Sequence, residues 1–156
     1  MDHPRRTRKE KETMAVATVL IVDDEMGFVE ALARRLTRRD VEIRAAYSGE
    51  EALNRLASDG DIEVVILDVK MPGMDGIETL AEIRRRFPLV EVIMLTGHAT
   101  VESGIEGMKK GAFDYLMKPC DIEVLLTKVN EAAAVKRRRE ERIVEARVRE
   151  ITARRA

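Results

Sequence analysis

The chain is predicted to fold as an α/β domain on a doubly wound, five-stranded parallel sheet with five helices, and three observations lead there. Five short apolar runs alternate with five stretches of helical spacing. The run before Asp68 holds consecutive rather than alternating apolar residues, as a strand covered on both faces does. Residues that favour turns or carry charge stand at their carboxyl ends, and right-handed crossovers bring all those ends to one edge of the sheet.

The first run, residues 17–22, reaches Asp23, Asp24 and Glu25. An amphipathic helix is expected over 27–39, with Phe28, Ala31, Leu32 and Leu36 at helical spacing. A short strand at 41–46 precedes a helix for which Ser48 is the N-cap and Ala52, Leu53 and Leu56 the core face; Gly60 closes that unit. The third run, 63–68, ends in Asp68 and breaks at Pro72-Gly73. Asp75 caps the next helix, which carries Ile77, Leu80, Ile83 and Phe87 and stops at Pro88. The fourth run, 91–95, ends at Thr96-Gly97 and is followed by a helix over 101–110. The fifth, 112–117, ends at Lys118-Pro119, and a last helix starts near Asp121.

Composition narrows the function. The 156 residues suit one domain with a tail. Charged residues make up 37%, yet the net charge is −1, so no global attraction to nucleic acid or membrane follows. Trp is absent and aromatics total 3%, which argues against a base-stacking platform. The single cysteine, Cys120, rules out an internal disulfide and a cysteine-based zinc site; it reads as a small buried hydrophobe beside a loop. The longest apolar runs are strand-sized, and no apolar segment follows the basic N-terminus, so neither a membrane span nor a signal peptide is expected. A soluble cytoplasmic protein is the expectation. Residues 1–15 read as a disordered charged tail, with Met14 an alternative start.

The predicted edge collects Asp23, Asp24, Asp68, Thr96 and Lys118 from four strands. Three crowded carboxylates repel one another unless compensated, and Mg²⁺ suits them because it prefers oxygen ligands and shares them with phosphate. Lys118 can place a point charge on a phosphoryl oxygen, and the Thr96 hydroxyl can bond another. Asp68 is left as a nucleophile able to form an acyl phosphate.

Asp23-Asp24, Asp68 followed by Met71-Pro72-Gly73-Met74-Asp75-Gly76, Thr96-Gly97, Tyr115 and Lys118-Pro119 together resemble the receiver domain of two-component response regulators, over residues 16–135. The resemblance implies a flavodoxin-like strand order, 2-1-3-4-5, and phosphoryl transfer to Asp68 from a sensor histidine kinase. It also implies Mg²⁺ on Asp24, Asp68 and the Lys70 backbone carbonyl, with Asp23 acting through water. A cis peptide before Pro119 is implied too. So is a switch in which Thr96 moves toward the phosphoryl group and Tyr115 rotates inward, remodelling the face made by the fourth helix, fifth strand and fifth helix. Gly104 and Gly107 should make the fourth helix the loosest. Lys70 and His98 stand where the family varies, and His98 reads as a solvated loop residue.

Residues 136–156 carry nine basic and four acidic residues and read as a charged helical extension. A homodimer through that helix or the switch face is an open alternative, and nucleic-acid contact is disfavoured. No output domain follows, so a stand-alone receiver signalling to a protein target is expected, with no enzymatic turnover beyond self-catalysed phosphorylation and dephosphorylation. Two other readings compete. One is a phosphorelay shuttle to a histidine phosphotransfer protein. The other is an aspartyl-nucleophile, Mg²⁺-dependent phosphatase, which lacks a second carboxylate two residues beyond Asp68.

Overall fold

A computed structural model describes residues 17–155; the predicted N-terminal tail and Met14 lie outside the described residues. Five strands, β1 (Thr18–Val22), β2 (Glu42–Ala46), β3 (Val64–Leu67), β4 (Glu91–Thr96) and β5 (Asp114–Met117), form one parallel sheet in the order β2-β1-β3-β4-β5. Five helices connect and follow them: α1 (Met26–Thr37), α2 (Gly49–Ser58), α3 (Gly76–Arg86), α4 (Val101–Lys109) and α5 (Ile122–Arg155). The predicted fold class and strand order are both present.

Strand periodicity divides the core. Leu20, Val22, Val65, Leu67, Val92 and Met94 face α2 and α3, while Val19, Ile21, Val64, Ile66, Ile93 and Leu95 face α1 and α5. Consecutive apolar residues are therefore required, because each face of the three central strands meets a helix layer. Local chemistry starts the helices. Ser48 accepts a hydrogen bond from the Glu51 amide and Asp75 from the Glu78 amide, as their N-cap positions predict. Thr100 and Ser103 add a reciprocal capping box at α4. The fifth strand is shorter than the run at 112–117, because Gly111, at φ +99°, first turns the chain out of α4.

The α4 helix buries only Gly107 among its residues and exposes Val101, Ile105 and Met108. The α5 helix is continuous for 34 residues, roughly 50 Å. It buries Leu125, Val129, Ala132, Ala133 and Lys136. Its sheet contacts continue past position 135: Arg137 holds Glu63 with two bonds of 2.6 and 2.7 Å, and Arg139 Nη1 donates to Glu91 Oε1 at 2.6 Å. Both carboxylates sit at the amino-terminal pole of the sheet, opposite the predicted site. Residues 141–155 of the helix are exposed.

Candidate functional site

The backbone ladder carries the acidic residues to the carboxyl edge. The Asp68 amide donates to the Val22 carbonyl at 3.0 Å, the Asp23 amide to Ala46 at 3.2 Å, and the Lys118 amide to Thr96 at 2.8 Å. Each functional residue is thus one step beyond a strand and held by the neighbouring strand. Asp23 and Asp68 are buried, at 1% and 3% exposure, and Asp24 is exposed. One carboxylate oxygen from each of the three lies within 4.8 Å of the others.

The two buried carboxylates are partly neutralised. Lys118 Nζ donates to Asp23 Oδ2 at 2.6 Å and stands 3.9 Å from Asp68 Oδ2. Asp23 Oδ1 accepts from the Glu25 amide at 2.9 Å, and Asp68 Oδ1 from the Val69 amide at 2.8 Å. These bonds fix both carboxyl planes. Three clustered carboxylates against one ammonium leave an excess of negative charge and several oxygen lone pairs, a donor set that fits a hard divalent cation. Outside the triad, a cleft of about 440 Å³ opens between Asp24, Asp68, Lys70, Pro72, Asp75 and His98.

The β3–α3 loop is clamped beneath this cleft. Gly73 has φ +76°, a left-handed conformation that favours glycine. The Gly76 amide donates to the Val69 carbonyl at 2.7 Å. A Cβ at Gly76 would lie 1.9 Å from the Asp68 carbonyl oxygen and 2.7 Å from Val69 Cα, so the first turn of α3 rests directly on the backbone that carries Asp68.

Thr96 is fully buried, and its hydroxyl oxygen accepts from the His98 amide at 3.0 Å. Tyr115 is half-buried, with its hydroxyl 2.5 Å from Ser103 Oγ. Its ring lies 3.8 Å from where a Cβ would stand at Gly104 and 3.6 Å from one at Gly107. The peptide before Pro119 is cis. Lys70 and His98 are exposed at the cleft rim, His98 as a loop residue. Cys120 is half-buried rather than fully buried, because it stands at the margin of the α1–α5 core; burial, then Asp121, pushes its thiol up.

Two contributors escape a reading of the sequence. Phe28 scans as a core position of α1, yet its ring centroid lies 3.8 Å from Lys118 Nζ. Gly76 belongs to the motif, but only the packing of α3 reveals what its missing side chain permits. The Phe28 contact has no sequence signal, since it depends on where the distant Lys118 docks; the Gly76 contact depends on how α3 folds back onto the neighbouring Asp68 loop.

Fold and site together define a class: a parallel α/β domain whose carboxyl edge holds an acidic cluster, a lysine and a buried hydroxyl. The chain belongs to the response regulator receiver domain family, whose model matches residues 19–130. It is 37% identical over 112 residues to the DNA-binding transcriptional regulator NtrC of Klebsiella pneumoniae, covering 72% of this chain and 24% of that protein. It is 42% identical over 110 residues to the response regulator protein FleR of Pseudomonas aeruginosa, covering 70% and 23%. The chain thus spans about a quarter of the length of these curated relatives. Among solved structures, a response regulator receiver domain protein from Clostridium thermocellum superposes with a TM-score of 0.74 at 36% identity, covering 78% of this chain and 97% of that one.

Proposed function

We propose that Asp68 accepts a phosphoryl group from the phosphohistidine of a sensor histidine kinase, and that the phosphorylated chain signals by altered protein contacts. A carboxylate oxygen of Asp68 forms the new O–P bond while the P–N bond of the donor breaks, and the electron pair returns to the imidazole nitrogen. Asp23, Asp24 and Asp68, with the Lys70 carbonyl, would hold Mg²⁺. That ion supplies neutralisation of the charge gathered between acceptor and phosphoryl group. Lys118 turns its ammonium from Asp23 to a phosphoryl oxygen, and the Thr96 hydroxyl donates to another. The chain thereby promotes its own phosphorylation and hydrolysis, without turning over a separate substrate.

Thr96 and Tyr115 form the switch. Movement of Thr96 toward the phosphoryl group gives up the His98 bond, and Tyr115 turns inward from its Ser103 partner. The exposed apolar residues of α4 are then presented differently to a downstream protein. The proposed kinase partner would meet this chain in the cytoplasm. Nucleic acid is not assigned as a partner of this segment: the DNA-binding description belongs to NtrC, of which the chain matches about a quarter.

The observation that carries the reading is the convergence of three carboxylate oxygens within 4.8 Å beside the Lys118 ammonium. Intact mass after incubation with acetyl phosphate and Mg²⁺ tests it. A phosphoryl adduct that requires the metal and is absent from Asp68→Asn supports the assignment, and an adduct of equal size on Asp68→Asn refutes it.

A further inference from the structure

We propose that Phe28 is a positioning residue for Lys118: its ring face holds the ammonium at the crevice floor while the N–H groups change acceptors. The inference rests on Asp68 being the phosphoryl acceptor.

Among the described residues, three groups stand close to Lys118 Nζ. Asp23 Oδ2 accepts at 2.6 Å, Asp68 Oδ2 stands beyond hydrogen-bond reach at 3.9 Å, and the Phe28 ring centroid lies at 3.8 Å. An aromatic face attracts a cation through its quadrupole and is most effective where water is excluded. The Lys118 side chain is only 15% exposed, so water screens this contact weakly. The ring is half-buried, and a cavity of about 170 Å³ lies between it, Lys118, Pro119 and Leu125. Phe28 thus packs against the α1–α5 core and also borders this cavity.

The ring does something a second carboxylate could not. It stabilises the positive charge without accepting an N–H, so all three donors remain available to oxygen atoms. In the proposed reaction the ammonium must leave Asp23 for a phosphoryl oxygen. A lysine stem has four rotatable carbons and wanders when its partner is lost. Contact with the ring limits that freedom throughout the exchange. The α1 helix starts at Met26, so its first turn keeps Phe28 near the acidic pair that precedes it, and the docking of the β5 end brings Lys118 to its ring.

The test replaces Phe28 in the full chain by 4-fluoro-, 3,5-difluoro- and 3,4,5-trifluorophenylalanine, which withdraw ring charge in steps with little change of shape. Adduct formation with acetyl phosphate and Mg²⁺ should slow step by step, by about three- to tenfold across the series. Phe28→Tyr, which keeps the ring face, should stay within about twofold of the unsubstituted chain. In the metal-free protein, NMR should show ring-current-shifted Lys118 Cε protons, and the order of that methylene should fall along the same series. A flat series in both rate and order would overturn the inference and leave Phe28 a packing residue. If the unsubstituted chain forms no adduct, the acceptor reading fails, and the positioning role then stands or falls on the Lys118 order alone.

Discussion

Lys118 bonds Asp23 at 2.6 Å and stands 3.9 Å from Asp68, so the counter-ion of the acceptor is borrowed from its neighbour. The ammonium and a divalent cation would compete for the same buried carboxylate. Lys118→Ala should therefore destabilise the metal-free protein by about 2 kcal/mol, the loss of a buried charged hydrogen bond. The same change should strengthen Mg²⁺ binding, because the site loses its internal cation, while adduct formation falls. Thermal melts across a Mg²⁺ titration check both. Weakened Mg²⁺ binding would contradict the competition.

Asp68→Asn should abolish the adduct yet leave folding intact. The amide oxygen can still accept from the Val69 amide, which now bonds Asp68 Oδ1 at 2.8 Å. Removing one of three clustered charges offsets the lost affinity for Lys118, so stability should change by less than about 1 kcal/mol in urea melts.

Gly76 and Gly27 make a contrasting pair. A Cβ at Gly76 meets backbone at 1.9 Å, which no rotamer change relieves, whereas one at Gly27 has nothing within 4 Å. Gly76→Ala should cost about 3 kcal/mol or more and displace the Asp68 loop, lowering adduct yield. Gly27→Ala should raise stability by about 0.5–1 kcal/mol, since Ala suits the helix better. Equal effects on melting would show that α3 does not bear on Asp68 as described.

The Tyr115 ring rests against both α4 glycines with room for a methyl group at each, at 3.6–3.9 Å. Gly104→Ala should stabilise α4 by about 1 kcal/mol and slow hydrogen exchange there. It should also diminish the phosphorylation-dependent change in Tyr115, read from its ring resonances. A full-sized change in a stiffened α4 would exclude helix looseness as part of the switch.

At the opposite pole, burial pushes the Glu91 carboxyl above the ordinary glutamate range, with Arg84 and Arg139 offsetting part of the shift. A native carboxyl that holds its proton more tightly than the unfolded chain does lowers stability as pH rises. That loss is absent below the ordinary value, about 4.3, and complete above the raised native one. The stability of the unsubstituted chain relative to Glu91→Gln should therefore fall as pH increases through that window. Arg139→Ala should deepen the fall, because Arg139 Nη1 bonds Glu91 at 2.6 Å. A relative stability that rises with pH would mean that the arginines outweigh burial.

Much of this protein was legible before any coordinates. The unbroken apolar runs at 64–67 and 92–95 declare strands buried on both faces, and Ser48 and Asp75 declare the helix starts they make. With parallel strands, the residue after each run must lie on the shared edge, so Asp23, Asp68 and Lys118 could be assembled by topology alone. The convergence of Asp23, Asp24 and Asp68 follows from that edge rather than from any local spacing.

The sequence by itself determined the element types, the sheet edge and the chemical kinds of group gathered there, because periodicity and capping are local properties of the chain. Only the tertiary structure decided which groups touch. Lys118 chooses Asp23 over Asp68, Phe28 meets the ammonium as well as the core margin, and Gly76 supports the acceptor backbone. The last helix is likewise tied to the sheet past residue 135, where Glu63, just before β3, and Glu91 of β4 receive Arg137 and Arg139. The Lys118–Asp23, Arg137–Glu63 and Arg139–Glu91 contacts join residues 48 to 95 positions apart. Their distances are set by how helices dock on a twisted sheet, and no pattern within a few residues of either partner encodes that.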